Sequence, residues 1–368
     1  GVMLSHKNLV LNAIATTKIV NVTEEDRMLS ILPLAHVYEC TLGFILPIMS
    51  GAAVYYLRKP PTAAIMVPAL ASIKPTIMLS VPLIIEKMYK SRIIPEINNK
   101  RILRLIYKFP FMRKQINRIA GRKLMATFGG KLKTFCIGGA QLSSEVEKFL
   151  REAEFPYAIG YGLTETSPLV AGTNAQLTRY RSTGPALPGV EIRIDDADPK
   201  TGEGEILVRG DTVMKGYFHD PDRTADVLTS DGWFKTGDLG FLDADKYLYI
   251  NGRLKNVIVG ASGENIYPEA IESVINRSVM VLESLVYQDQ GALSARIHLD
   301  YEKLDLEIAE HHLGETQIRG HIAALLETIR KQVNEQVSSF SRIGKVIEQT
   351  EPFEKTPTQK IKRYLYTN

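Results

Sequence analysis

Short apolar runs alternate with helix-patterned segments along the first half of the sequence, and no other feature restricts the fold as strongly. Strands that alternate with helices form a mostly parallel sheet with helices on both of its faces. The sequence therefore predicts an α/β fold built on a layered, mostly parallel sheet. The predicted strands are 27–32, 52–57, 76–79, 133–137 and 157–160. The predicted helices are 8–20, 61–73, 81–89 and 143–152.

The pattern changes twice along the chain, whose 368 residues are too many for one compact core. Gly, Pro and Asp punctuate short alternating strands between 184 and 252, which predicts a β-rich, barrel-like subdomain. A further set of strands and helices predicts a small α+β domain over 253–368. We therefore expect a large domain over 1–252, divided at 183/184, and a small domain after it.

Residues 41–57 form an uncharged run whose length raises the question of a membrane span. The run is short for a span, and Pro47 and Gly51 interrupt it. We interpret it as a buried helix followed by a buried strand.

Residues 99–123 interleave basic side chains with Leu, Ile and Phe. Such a stretch is typical of a helix that lies on a membrane surface, or of a solvated face over a packed one. We favour the second interpretation. The basic residues are Lys100, Arg101, Arg104, Lys108, Arg113, Lys114, Arg118, Arg122 and Lys123.

The overall charge and the cysteines exclude several classes of protein. A formal charge of +4 is too small for a nucleic-acid binder, so we expect no nucleic-acid partner. Cys40 and Cys136 form no CxxC pair, which argues against a zinc site or a disulfide framework. A reducing, cytoplasmic compartment is therefore expected, with peripheral membrane contact left open.

The loop after the strand at 157–160 carries the clearest chemical signal. Tyr161, Thr164 and Glu165 lie within five residues on a turn that contains Gly160 and Gly162. An aromatic ring can stack on a base, a hydroxyl can bond a phosphate oxygen, and a carboxylate can hold Mg²⁺. By itself, a polar turn would explain the segment equally well.

Further segments follow in a fixed order. Asp238 comes after a glycine turn, where an acidic residue can accept both hydroxyls of a ribose. The other segments are 252–255, 263–272 and 356–363.

In this order, the segments resemble the core motifs of the adenylate-forming superfamily of acyl-CoA synthetases, peptide synthetase adenylation domains and luciferases. Segments 32–39, 138–142 and 356–363 are most similar to those of long-chain fatty acid–CoA ligases. The resemblance covers essentially the whole chain. It implies that ATP and Mg²⁺ activate a fatty acid as acyl-AMP, and that coenzyme A accepts the acyl group.

The resemblance also implies a nucleotide site. Tyr161 would stack on adenine beside Gly139 and Ala140, Asp238 would hold the ribose, and Arg253 would reach the ribose or a phosphate. The implied nucleotide-binding residues are Gly139, Ala140, Tyr161, Gly162, Asp238 and Arg253.

The implied catalytic residues surround the reacting phosphate. Thr164 would bond a phosphate, Glu165 would ligate Mg²⁺, and Lys360 would be the adenylation lysine. A cation there would offset the repulsion between the attacking carboxylate and the α-phosphate. His36 would line the acyl channel, although a packed histidine fits its position equally well. Lys255 would be the hinge about which the small, mobile domain turns to withdraw Lys360.

Relatives carry a phosphate-binding loop before the segment that corresponds to residues 2–6, which here follows Gly1 directly. We therefore expect the polypeptide as given to bind ATP weakly, to catalyse poorly and to be prone to self-association through bare apolar surface. Two alternatives stay open: a ligase that loads another acid or an acyl carrier protein, and a noncatalytic nucleotide-binding remnant.

Overall fold

The computed structural model describes residues 1–98, 101–260, 263–311, 314–356 and 360–367. The chain forms two compact units, Gly1–Ile250 and Asn251–Asn368. The helices of the first unit are α1 (His6–Thr17), α2 (Leu46–Met49), α3 (Ala63–Ile73), α4 (Pro82–Met88), α5 (Ile94–Asn98), α6 (Arg101–Ile106), α7 (Pro110–Thr127), α8 (Ser144–Glu152) and α9 (Pro221–Val227).

A five-stranded parallel sheet lies in the first unit, with the order β3-β2-β4-β5-β6. The layered α/β fold predicted from the sequence is confirmed. Phe128, Phe135 and Phe155 pack together beneath the sheet, with ring centroids 5.3–5.7 Å apart. Its strands are β2 (Arg27–Ser30), β3 (Ala53–Tyr56), β4 (Ile77–Ser80), β5 (Thr134–Ile137) and β6 (Tyr157–Ile159). Short strands outside this sheet are β1 (Val2–Met3), β7 (Tyr161–Gly162) and β8 (Leu169–Ala171), of which the last two pair with each other.

Helix α1 begins two residues before the predicted start because Ser5 caps it. The Ser5 hydroxyl accepts a hydrogen bond from the Asn8 backbone N–H (3.2 Å), and the Asn8 Oδ1 accepts one from the Ser5 N–H (2.8 Å). This reciprocal pair satisfies backbone donors that a helix end otherwise leaves open. The Asn8 amide also donates to the carbonyls of Asp211 and Val213 and so anchors the helix to a distant loop.

Of the interpretation of residues 41–57, the helix is confirmed, with Thr41, Leu42 and Leu46 buried, whereas the buried strand was wrong. Glu39–Ile45 is a π-helix that continues into α2, and β3 is an edge strand with Ala53, Tyr55 and Tyr56 exposed. An apolar run does not reveal whether its strand has neighbours on one side or on two. Among the described residues, no helix is both long and apolar enough to cross a bilayer.

An antiparallel sheet forms the β-rich part of the unit, as predicted, with the order β10-β11-β13-β14-β9. Its core contains Leu187, Ile206, Val208 and Leu248. The strands are β9 (Ser182–Gly184), β10 (Val190–Asp195), β11 (Gly204–Gly210), β13 (Phe234–Leu242) and β14 (Leu248–Arg253). The short strand β12 (Gly216–Tyr217) pairs with β1.

The second unit has the predicted α+β composition. Strands β17 and β18 pair antiparallel, β18 and β19 pair parallel, and α10 and α12 pack beside them. Ile275, Val286, Ile297 and Ile329 lie in its core. The elements are β15 (Ile258–Val259), β16 (Asn265–Ile266), α10 (Pro268–Ile275), β17 (Val281–Asp289), β18 (Ala292–Leu299), α11 (Tyr301–His311), α12 (Glu315–Asn334) and β19 (Lys345–Glu348).

The π-helix carries a buried carboxyl group that the sequence did not reveal. The side chain of Glu39 is 1% exposed, and its Oε1 accepts a hydrogen bond from the Ser30 hydroxyl at 2.5 Å. Its Oε2 is buried and has no hydrogen-bond partner among the described residues. Burial raises the pKa of Glu39 to about 7, although the Ser30 bond works in the opposite direction.

We predict that Glu39→Gln removes a loss of folding stability that the parent suffers at neutral pH. Because the folded-state pKa is raised, the unfolded chain loses the Glu39 proton first, and stability falls as the pH rises from about 4.5 to about 7. Above this window Glu39→Gln should raise the free energy of unfolding by up to about 3 kcal/mol, with little change at pH 4.5. Urea unfolding followed by Trp233 fluorescence measures this. Glu24→Gln, at an exposed site, is the control. Parallel pH profiles for Glu39→Gln and the parent would refute the assignment.

Candidate functional site

The turns after β5 and β6 meet at one edge of the parallel sheet, where the carboxyl ends of its strands lie. Gly139 adopts a φ of 86°, a left-handed conformation that glycine adopts without strain. A Cβ atom on Gly138 would lie 3.3 Å from the ring of Tyr38, so this ring covers the turn. The Tyr38 hydroxyl also donates to the carbonyl of Cys136 at 3.2 Å. The segment that contains His36 therefore reaches the same edge of the sheet.

A hydrogen bond links this edge to the antiparallel sheet. The Tyr161 hydroxyl donates to Oδ2 of Asp238 at 2.7 Å, and Asp238 lies on β13 with only 5% of its surface exposed. The Asp238 backbone N–H donates to the Thr236 hydroxyl on the same strand at 3.0 Å. Two residues that the sequence predicted for one nucleotide site, 77 positions apart, are thus in direct contact.

The loop that follows Tyr161 is held by buried hydrogen bonds. The Thr166 hydroxyl donates to the carbonyl of Pro168 at 2.5 Å and accepts from the Leu163 N–H at 3.0 Å. Ser167 has a φ of 72°, and its hydroxyl donates to the carbonyl of Thr212. The Asn12 amide donates to the carbonyls of Thr166 and Leu169, 3.2 and 2.8 Å away. Helix α1, through Asn12, and the Thr212 carbonyl therefore hold the loop in place.

The same loop leaves its reactive side chains accessible. Thr164 and Glu165 lie in a single 3₁₀ turn, Thr164–Thr166; Thr164 is exposed and Glu165 is half-buried. Tyr217 donates its hydroxyl hydrogen to Oε1 of Glu165 at 2.9 Å. Sequence reasoning missed Tyr217 because 52 residues separate the pair. Tertiary contacts bring Tyr217 beside the loop: β12 pairs with β1, and the Met214 N–H donates to the Glu165 carbonyl at 2.8 Å. An aromatic residue directly after a glycine was the only available signal.

The donor set suits one kind of metal site. Within the described ranges, no three His, Cys, Asp or Glu side chains gather as a metal cage. Mg²⁺ commonly keeps several waters and binds one or two carboxylates together with substrate phosphates. A single oriented carboxylate, Glu165, therefore fits a magnesium ion that arrives with a nucleotide.

The remaining predicted residues lie on turns and strand ends of the two units. His36 is half-buried in the turn before the π-helix, and its backbone N–H donates to the Pro33 carbonyl at 2.9 Å. Ala140 is exposed in the turn after Gly139. In the second unit, Arg253 ends β14 and Lys255 lies in the 3₁₀ turn Leu254–Asn256, both with exposed side chains.

Lys360 is exposed, and its backbone is hydrogen-bonded to Thr356. The Thr356 N–H donates to the Lys360 carbonyl at 2.8 Å, and the Lys360 N–H donates to the Thr356 hydroxyl at 3.2 Å. Residues 357–359 of this predicted motif lie outside the described residues.

The two basic residues after Lys360 are engaged in ion pairs within their own unit. Lys362 pairs with Glu354 at 3.1 Å, and Arg363 pairs with Glu272 at 2.8 Å. Burial raises the pKa of Glu272 to about 7, against the opposing effect of Arg363. These ion pairs indicate that Lys362 and Arg363 help to stabilise their unit.

The family model described as AMP-binding enzyme matches residues 1–218. The long-chain-fatty-acid–CoA ligase FadD15 of Mycobacterium bovis is 31% identical over 92% of this chain and 60% of its own length. The peroxisomal long chain acyl-CoA synthetase 6 of Arabidopsis thaliana is 28% identical over 99% of this chain and 56% of its own length. The chain thus spans 60% or less of these two curated relatives.

Solved structures of low sequence identity share the fold. The o-succinylbenzoate CoA synthetase MenE of Bacillus subtilis, in complex with the acyl-adenylate OSB-AMP, has a TM-score of 0.75 at 22% identity. The similarity covers 100% of this chain and 66% of that one. ATP-bound MatB of Rhodopseudomonas palustris has a TM-score of 0.71 at 24% identity, over 99% of this chain and 64% of that one.

We predict that Gly162→Ala disrupts the loop that carries Glu165. A Cβ atom at position 162 would lie 2.0 Å from the Pro168 carbonyl oxygen, so the backbone has to move. The free energy of unfolding should fall by about 2 kcal/mol or more, as measured by urea titration. The control is Gly320→Ala in α12, where a new Cβ meets nothing within 4 Å and the exchange should be neutral or stabilising. Equal, small effects of the two exchanges would contradict the close approach.

Proposed function

Because the chain belongs to the AMP-binding enzyme family, we propose that it serves to activate a long-chain fatty acid with ATP and to pass the acyl group to coenzyme A. The observation that carries the proposal is the contact between Tyr161 and Asp238 beside the loop of Glu165. It brings together an aromatic ring and two carboxylates, those of Asp238 and Glu165, near one edge of the sheet. The names of the curated relatives support the long-chain substrate.

In the first step, a carboxylate oxygen of the fatty acid attacks the α-phosphorus of ATP, and pyrophosphate leaves with the electron pair of the broken P–O bond. In the second step, the thiol sulfur of coenzyme A attacks the acyl carbon, AMP leaves, and the thiol proton passes to water. Both steps form and break one bond each, so the protein mainly has to position the reactants and offset charge.

We assign the nucleotide to the edge where β5 and β6 end. Gly139 and Ala140 would border the adenine, with Gly162 close to Tyr161. The Asp238 carboxylate would accept the ribose hydroxyls, because an ionised carboxylate is a hydrogen-bond acceptor with two oxygens. Arg253 would reach the ribose or a phosphate.

We assign the phosphates to the 3₁₀ turn. The exposed Thr164 hydroxyl would donate to a phosphate oxygen, and Glu165 would hold Mg²⁺, which supplies positive charge to the phosphates when bound. Tyr217 would act as a positioning residue, since its hydrogen bond orients the Glu165 carboxylate. His36 would lie along the path of the acyl chain.

We assign the charge that promotes the first step to Lys360 and the domain motion to Lys255. In this proposal, the large domain covers 1–252, and the small domain, 253–368, turns about Lys255 between the two steps. The second step has no need of a cation at the α-phosphate, so Lys360 should serve the first step alone.

We predict that Lys360→Ala separates the two steps. In the protein that carries this chain, ATP–pyrophosphate exchange with a long-chain fatty acid should fall by about 10²- to 10³-fold, because a charge that stabilises the transition state is lost. Thioester formation from supplied acyl-AMP and coenzyme A should stay near the parent rate.

Lys362→Ala is the matched control, because it removes a neighbouring ammonium that pairs with Glu354. It should leave both half-reactions close to those of the parent. The proposal fails if the two variants behave alike, or if the parent binds AMP but adenylates no fatty acid. The latter result would favour the noncatalytic nucleotide-binding remnant.

A further inference from the structure

The positive charge of the chain is concentrated in one segment. Residues 97–144 contain eleven Lys or Arg residues and no Asp or Glu. Of 45 basic and 41 acidic residues in the whole chain, the rest therefore holds 34 basic and 41 acidic, which is a net negative charge. Such an asymmetry concentrates the electrostatic attraction for anionic partners in this segment.

Helix α6, within this segment, does not pack as a core helix does. It buries none of its residues, and Ile102 and Leu105 are 74% and 60% exposed. Residues three apart lie on the same helix face, so these two side chains form one apolar strip. Arg101 and Arg104, also three apart, are exposed beside it. The interpretation of a solvated face over a packed one was therefore wrong for α6. Lys100 lies outside the described residues.

The start of α7 continues the same composition. Phe109 is 61% exposed, Phe111 is 72% exposed and Met112 is 40% exposed, with exposed Lys108 and Lys114 among them. Farther along α7, Ala120 and Leu124 are buried, so the favoured interpretation holds there. Large apolar side chains that cluster on a surface indicate an interaction site, whereas isolated ones do not.

The basic residues of the segment fall into two groups. Three basic residues of α7 pair with acids: Arg113 with Glu152 and Lys123 with Glu96, each at 2.8 Å, and Arg118 with Glu154. Those among the exposed apolar side chains have no acidic partner among the described residues. They are Arg101, Arg104, Lys108 and Lys114. Arg122 and Lys131 also have no acidic partner among the described residues but lie outside this group, so four of the six unpaired cations of the segment lie among the unpacked apolar residues.

We propose that the surface formed by residues 101–114 docks on an anionic lipid bilayer. Phe, Ile and Leu side chains can enter the boundary between headgroups and acyl chains while Arg and Lys bind lipid phosphates. Two copies of the surface would place like charges opposite each other. The inference goes beyond the proposed chemistry and does not depend on it.

The test is cosedimentation of the protein with vesicles of phosphatidylcholine, alone or with one third phosphatidylglycerol. The parent should bind the anionic vesicles at least about tenfold more tightly, and added salt should weaken this binding. Reversal of three charges, in Arg101→Glu/Arg104→Glu/Lys108→Glu, should weaken it by on the order of 100-fold. Lys59→Glu/Lys200→Glu/Lys246→Glu changes the net charge equally at exposed sites elsewhere and should have an effect of less than about threefold.

A second pair of variants tests the apolar part. Leu105→Ser should weaken vesicle binding several-fold, whereas Leu177→Ser, at a site with nearly the same exposure of 58%, should not. Absence of vesicle binding by the parent, or equal effects of the two triple variants, would overturn the proposal. The proposal would also be overturned if the parent did not bind vesicles but did self-associate or bind heparin, and if the Arg101→Glu/Arg104→Glu/Lys108→Glu variant lost that property. The surface would then serve a second copy or a polyanion. AMP binding, measured on the same samples, reports separately on the proposed function.

Discussion

The hydrogen bond between Tyr161 and Asp238 is the contact on which the rest of the site depends. It joins the carboxyl edge of the parallel sheet to a strand of the antiparallel sheet, at 2.7 Å and largely shielded from water. A buried carboxylate needs such partners, because an unpaired one would cost several kcal/mol. The same bond sets the distance between the ring proposed to stack on the base and the carboxylate proposed to hold the ribose. One interaction thus fixes both the spacing of these two side chains and the contact between the two sheets.

Around that contact, the chain separates rigid support from accessible chemistry. Thr166 and Ser167 are fully buried and bonded to backbone carbonyls, whereas Thr164, two residues earlier, is exposed. Glu165 lies between these extremes and is oriented by Tyr217. A loop that is fixed from beneath can present a hydroxyl and a carboxylate without losing their geometry to thermal motion. The exposed apolar and basic surface of residues 101–114 lies in the same unit, and we infer that it sets where the protein works.

Much of this architecture could be predicted from the sequence, because strand and helix periods are local signals. The parallel sheet, the antiparallel sheet and the α+β unit all follow from such patterns, and the order of the motifs indicated the family. Tyr217 could not be predicted, because its role depends on the pairing of β1 with β12. The edge position of β3 and the burial of Glu39 depend on which elements cover them. Such facts arise from tertiary packing, which single-residue patterns do not encode.

The most direct measurement is calorimetric titration of AMP, and of AMP that lacks both ribose hydroxyls, into the parent and into Asp238→Asn. The account predicts that the parent prefers AMP by about 10- to 100-fold, since hydrogen bonds to a charged group contribute about 1.5–3 kcal/mol. It also predicts that Asp238→Asn loses most of this preference. Equal preference in the parent and in Asp238→Asn would show that Asp238 does not hold the ribose, and would contradict the site described around Tyr161.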